Sequence, residues 1–282
     1  MRFDVAKKII DEVSSDAFTE KYQMVKFVVG ENGDSFINKN AIDILRYIKF
    51  KNSLYNIFCV SNFQNLTPEK SEIIVREKLV NSICLNIDGS TKSNYYAVKK
   101  LDLGLVMDIN LRAFLNFRDE YSVDIPIHVS ILSMNNYIQA VNKKFGRLPI
   151  QLTDPDAVHM EDDTEATREM LRPWIRPGDV VSRVNPMFWA ERKAVDTSIL
   201  DYSKYRCPLL KRVRNEVFVA PDGTWYACCF DSNNELELGN VYETSIDEVA
   251  CSAKRKELIR LLEEQKFAEV GYPCNTVNCC WA

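Results

Sequence analysis

Seven of the nine cysteines in this 282-residue chain fall between Cys207 and Cys280. Thiolates at such density either hold soft metals or cycle through redox states. Disulfides are the weaker reading. The N-terminus MRFDVAKKIIDEV alternates charge with apolar residues at helical spacing and is not an export signal. Fifteen residues separate Cys207 from Gly223 and four separate Gly223 from Cys228, while Cys274, Cys279 and Cys280 come far downstream. A cage of four thiolates from these positions suits either tetrahedral zinc or an iron–sulfur cluster. Spacing alone leaves three readings: buried structural thiols, a four-cysteine zinc site, and a cluster. It is unlike tight CxxC zinc knuckles. Cys229, Cys251 and one of Cys279 and Cys280 are then spares. Cys59 and Cys84 sit in the apolar runs NIFCVSN and SICLNI and read as small core residues.

The elements that must position these thiols alternate in type. Helical periodicity over 3–14 precedes a strand-like run at 23–29. Helices near 40–49 and 68–79 are followed by strands at 55–60 and 82–87. Helices near 92–99 and 106–119 lead to a strand at 125–132 and a helix near 135–144. This rhythm predicts βαβ units and a parallel sheet, and the apolar strands suggest that both sheet faces are covered. Residues 145–178, rich in acid and proline, predict an insertion or a helix with irregular flanks, and a short strand starts at Asp179. After Cys207 the run EVFVAPDGTWYACCF predicts a hairpin turning at Pro221-Asp222-Gly223. Ser245 and Glu248 form a capping box opening one long helix over 245–265. The reading is α/β, with a domain boundary near residue 200 dividing 1–200 from a cysteine-rich 201–282.

Composition narrows the partners. With 36 basic against 40 acidic residues and no basic stripe, nucleic acid is excluded as the expected partner. No apolar run reaches the roughly 20 residues that span a bilayer. A cytoplasmic protein without membrane attachment is expected. His128, mid-strand in IPIHVSIL, reads as a packed, hydrogen-bonded core or rim histidine, and His159 as solvated. Glu161-Asp162-Asp163 reads as an exposed face. Trp174, Trp189 and Trp225 read as core before cavity lining, with Phe188-Trp189 at the rim of the last barrel strand.

Cys207-x15-Gly223-x4-Cys228, then Leu238-Gly239-Asn240-Val241 and Ser245-Ile246-Asp247-Glu248-Val249, resemble the SPASM domain found behind radical S-adenosylmethionine barrels. Cys274-x5-Cys280 can be laid on a later spacing of that domain. The CxxC expected earlier is absent, so the resemblance implies one auxiliary 4Fe–4S cluster of the reduced, twitch type. Its ligands would be Cys207, Cys228, Cys274 and either Cys279 or Cys280. The barrel half adds to the likeness. Gly30-Glu31 is similar to the family's GGE motif, Ser61-Asn62 sits where Thr-Asn-Gly is common, and Asn86-Ile87-Asp88-Gly89 resembles S-[IL]-D-G. All lie at C-terminal strand ends, the reactive rim of a β/α barrel. The resemblance implies that Gly30, Glu31, Ser61, Asn62, Asn86 and Asp88 bind S-adenosylmethionine.

The implied fold is a partial (β/α)6-type parallel barrel lacking its first strand, plus a small C-terminal β-hairpin/helix domain. The family's CxxxCxxC is nowhere in the sequence. The expectation is therefore a chain inactive alone, as a fragment, a split subunit or a degenerate homologue. A complete protein would be an oxidoreductase or maturase in which the 5′-deoxyadenosyl radical takes hydrogen from a peptide, protein or other bulky or small-molecule substrate, with a reductant protein supplying electrons. The rival reading is a non-catalytic α/β binding scaffold with a structural four-cysteine zinc or cluster site.

Overall fold

The computed structural model describes residues 1–22, 25–31, 33–87, 104–132, 164–184, 206–231 and 233–275. Five parallel strands stand in chain order in one sheet: β1 (Lys26–Val29), β2 (Asn56–Ser61), β3 (Ser82–Ile87), β4 (Ile127–Leu132) and β5 (Val180–Val184). Parallel neighbours need crossovers. α3 (Ala41–Lys51) joins β1 to β2, and α4 (Pro68–Arg76) joins β2 to β3. Thr67 caps α4 through its hydroxyl, with Pro68 opening the helix. α5 (Gly104–Glu120) and α6 (Thr164–Leu171) precede β4 and β5. The helices expected near 92–99 and 135–144 lie outside the described residues.

Register sorts the side chains of this sheet onto two unlike faces. Residues paired across parallel strands share a face, and the face alternates along each strand. One face carries Ile57, Cys59, Ile83, Leu85, Ile87, Ile127, Val129 and Ile131, each at most 1% exposed. Ile44, Leu45 and Ile48 of α3, Ile74 and Val75 of α4, and Leu111, Phe114 and Leu115 of α5 are buried likewise. The other face mixes Val28, Phe58, Val60 and Val180 with Lys26, Asn56, Ser82, Cys84, Asn86, His128, Ser130 and Ser182, of which Lys26, Asn56, Asn86, His128 and Val180 are exposed. Among the described residues the helix side is the drier; on the other face Cys84 and Ser130 are buried and Val28, Phe58, Val60, Ser82 and Ser182 half-buried.

At the N-terminal end of the strands, Arg118 of α5 and Asp179, both almost fully buried, pair at 2.9 Å. Asp179 also accepts from the backbone N–H groups of Ile127 and Arg176 at 2.8 Å each. This pair ties α5, β4 and β5 together.

The chain divides into two compact units, one holding this sheet and the other combining Met1–Lys21 with the C-terminal part. In the latter, α1 (Phe3–Val13) buries Val5, Ala6, Ile10 and Val13 and is followed by α2 (Asp16–Lys21). β6 (Phe218–Val219), β7 (Thr224–Tyr226) and β8 (Glu237–Asn240) form an antiparallel sheet. The predicted hairpin is β6–β7; β8 extends it. The single helix expected over 245–265 is two. α8 (Ile246–Cys251) ends at Ser252, whose extended backbone and hydroxyl cap α9 (Ala253–Glu263) by accepting from Arg255 N. Serine competes for backbone donors in this way, and here it restarts the helix. α7 (Leu210–Asn215) and α10 (Phe267–Val270) complete the unit. No helix among the described residues is long and apolar enough to cross a membrane.

Candidate functional site

At the C-terminal rim of β1 and β2, one carboxylate organises the loops. Asp34 Oδ2 accepts from Ser61 Oγ at 2.7 Å and from Asn62 N at 2.9 Å, while Oδ1 accepts from Phe36 N at 2.8 Å. Ser35 Oγ bridges the carbonyls of Val29 and Val60 at 2.6 and 2.7 Å. Gly30 has φ +84°, and a Cβ there would stand 2.6 Å from Ser35 N and 2.8 Å from Val60 O. The turn is open only to glycine. Ser61 is buried, its hydroxyl donating to Asp34 and accepting from Phe63 N at 2.9 Å. It therefore holds the rim together from the helix side of the sheet. Asn62 is half-buried, and its Oδ1 accepts from Gln64 N. Next to it Phe63 takes φ +62°, a glycine-like conformation, fully buried in edge contact with Phe114, and its carbonyl accepts from Asn110 Nδ2 at 2.7 Å.

Asn86 projects from the open face of β3, with Cys84 Sγ 3.6 Å from its Oδ1 and 3.7 Å from Ser130 Oγ. Burial, chiefly, and the nearby carboxylate of Glu31 hold the Cys84 thiol above its ordinary range, against the hydrogen bond with Ser130. Asp88 lies outside the described residues. Sequence reasoning missed Asp34 and Ser35, which no motif marked. Cys84 is buried, as its apolar run suggests, whereas Ser130 and Ser182 were missed, although Ile127-His128-Val129-Ser130-Ile131 alternates at the strand period. His128 is a hydrogen-bonded rim histidine, its Nε2 2.9 Å from Ser182 Oγ, and it is exposed.

In the other unit, Cys207, Cys228 and Cys274 line one cavity. They arrive from three segments: the turn before α7, the end of β7, and the turn after α10. Pro208, Leu209, Val213, Phe230, Leu236, Leu258 and Leu262 complete an otherwise apolar wall. Cys279 and Cys280 lie outside the described residues. Three thiols in an apolar pocket, with no competing cation or carboxylate in its lining, suit a thiolate-held metal group. Among the described residues no three His, Cys, Asp or Glu side chains crowd closely enough to share one metal ion.

The whole fold is similar to known structures. BtrN in complex with AdoMet and 2-DOIA superposes with a TM-score of 0.51 at 13% identity, over 99% of this chain and 78% of that one. Native anSMEcpe with bound AdoMet gives 0.56 at 15%, over 99% and 79%. The same protein with AdoMet and the Kp18Cys peptide gives 0.53 at 16%, over 99% and 80%. No curated protein sequence matches the chain. The family model SPASM, an iron–sulfur cluster-binding domain, matches residues 207–280. Residues 207–280 thus carry the SPASM iron–sulfur cluster-binding domain, and the chain shares the fold of these AdoMet-bound structures.

The local geometry of the SPASM domain explains its spacing. Gly223 has φ +98°, its carbonyl accepts from Val241 N at 2.9 Å, and a Cβ would press on Val241 Cγ2 at 2.9 Å. Glycine there lets the segment after β8 close over the hairpin turn and fixes the exit of β7 toward Cys228. Trp225 is core, its Nε1 donating to Thr244 O at 3.0 Å. Asp231 is wholly buried and accepts from the N–H groups of Glu235 and Leu236 at 2.8 and 2.7 Å, setting the loop between the walls Phe230 and Leu236. Burial raises its carboxyl above the usual range, opposed by those two donors. Cys229 is directed elsewhere: Arg212 Nη1 donates to its sulfur at 3.3 Å. Cys251 is exposed at the end of α8. Neither lines the cavity.

Proposed function

We propose that these residues form the cosubstrate rim, substrate-facing sheet and auxiliary-cluster domain of a radical S-adenosylmethionine oxidoreductase or maturase acting on a peptide or protein. The observation that carries the reading is the convergence of Cys207, Cys228 and Cys274 on one apolar cavity. All three line the cavity, yet no three His, Cys, Asp or Glu side chains among the described residues crowd closely enough to share one metal ion. That suits a 4Fe–4S cube, whose thiolates bind different irons, better than one zinc with Zn–S bonds of about 2.3 Å. Cys279 or Cys280 is the fourth ligand in this reading. Peptide as substrate class rests on neighbours of the same fold solved with the Kp18Cys and Cp18Cys peptides.

When bound, the cluster supplies one-electron chemistry; the protein's part is to bind, orient and shield. At the rim, Glu31 offers a carboxylate to the cosubstrate's ammonium, and the Gly30 turn lets backbone approach it. Asn62 and Asn86 offer neutral donors and acceptors, with Asp88 beside them in sequence. Asp34, Ser35 and Ser61 hold this rim in shape.

Anaerobic reconstitution with iron and sulfide is the test. The expected result is about four irons per chain and a brown colour lost in Cys228→Ser. A colourless protein binding one zinc would instead establish the second reading, a non-catalytic α/β scaffold with a structural four-cysteine site. Because these 282 residues contain no CxxxCxxC, release of 5′-deoxyadenosine by this chain alone is expected to be absent. Its detection would overturn that part of the reading.

A further inference from the structure

One side of α9 breaks its own pattern. Arg255, Leu258 and Leu262 recur at helical spacing and share a side of the helix. Leu258 and Leu262 line the cysteine cavity, and Arg255, one turn earlier, is 3% exposed. Lys254, Lys256 and Arg260, the other basic residues of α9, are exposed. Amphipathic helices place apolar residues at such inward positions. A guanidinium there is a departure of the kind that concentrates where function overrides packing.

Its hydrogen bonds locate the guanidinium. Arg255 Nε and Nη2 donate to Val213 O at 3.2 and 2.7 Å, and Nη2 also donates to Glu216 O at 2.8 Å. Val213 lines the same cavity as Cys207, Cys228 and Cys274, so the guanidinium lies directly behind a wall residue. Capping explains the donors, because the last carbonyls of α7 have no partner within the helix. It does not explain the charge. A neutral amide also supplies N–H donors, and a buried cation is costly where a neutral donor would serve. What the charge adds is a fixed positive potential beside a site built of thiolates, and cluster potentials respond to charge, hydrogen bonds and solvent exposure around them.

We propose that Arg255 tunes the reduction potential of the cluster this cavity holds, its buried charge favouring the reduced state. This rests on the cluster reading of the cavity and adds how the chain sets its potential. On reduction one electron arrives from a low-potential one-electron donor protein; no bond forms or breaks, and the net charge of the site falls by one. A positive charge in buried surroundings stabilises the more negative state. Removing it lowers the midpoint.

The full-length chain, reconstituted anaerobically with iron and sulfide, is titrated with dithionite in the presence of redox mediators, and the electron paramagnetic resonance signal of the reduced cluster gives the midpoint. Arg255→Gln keeps a donor and removes the charge. It is expected to disfavour reduction about tenfold, which for one electron is a midpoint about 59 mV lower. Arg255→Lys keeps the charge and is expected to stay near the wild type at neutral pH. Arg260→Gln, on the exposed side of α9 where Glu257 and Glu264 pair with the arginine, is expected to leave the midpoint unchanged. An iron-loaded Arg255→Gln with the wild-type midpoint, or an equal drop in the lysine and glutamine variants, overturns the proposal and leaves the cluster reading standing. If Arg255→Gln takes up no iron, the lysine variant decides. Its midpoint is expected to fall more steeply with rising pH than the wild type's as the ammonium loses its proton, and matching profiles overturn the proposal. A wild-type chain that takes up no iron overturns both readings, so iron content tells the two failures apart.

Discussion

Gly30 shows how much a single position can decide. Its turn closes on backbone atoms of Ser35 and Val60, which cannot swing aside as a side-chain tip can. Gly30→Ala is expected to cost about 1–3 kcal/mol in urea unfolding and, on the function proposed above, to abolish binding of S-adenosylmethionine at the rim. Cys59 makes a second residue-scale prediction. Full burial pushes its thiol from 9.0 up to about 12. Between those values the unfolded chain has released the proton and the folded chain keeps it, so stability falls as pH rises, by at most about 1.4 kcal/mol per pH unit. Unfolding free energies at several alkaline pH values should decline less steeply in Cys59→Ala. At this scale the sequence was partly legible. Gly30, Asn86 and the cavity cysteines stood out by type and spacing. Asp34 did not, because its role depends on backbone donors at Phe36 and Asn62 brought together only by folding.

Elements were easier to read than their faces. β2, β3 and α3 follow directly from period and punctuation, since their patterns agree with local propensity. The long helix over 245–265 was misjudged because amphipathic spacing continues through Ser252 while its hydroxyl starts a new cap. The Arg118–Asp179 pair gives this scale its prediction. Asp179→Ala leaves the Arg118 guanidinium buried without its carboxylate and is expected to cost about 3–5 kcal/mol. Arg118→Met with Asp179→Leu should lose less, because no charge is left stranded. Urea titrations of both variants decide it.

For the molecule as a whole, the sequence suggested a barrel followed by a cysteine domain but gave no sign that the first helices join the C-terminal unit. That packing rests on long-range contacts: Glu12 Oε1 accepts from Ile246 N at 2.6 Å, and Arg2 Nη2 donates to Tyr242 Oη at 2.7 Å. Helical periodicity in 3–14 shows that a face is buried and not what buries it. Removing residues 1–21 uncovers the partners of Val5, Ala6, Ile10 and Val13. It should lower the melting temperature of the C-terminal unit and its iron retention after reconstitution, both measurable against the full chain.

A unit assembled from the first 21 residues and the C-terminal segment has a consequence for synthesis on the ribosome. The sheet-bearing unit can fold as its own residues emerge, whereas α1 must wait, its apolar stripe unsatisfied, until the cysteine-bearing segment it packs with has left the exit tunnel. During that interval the nascent helix is a natural target for chaperones.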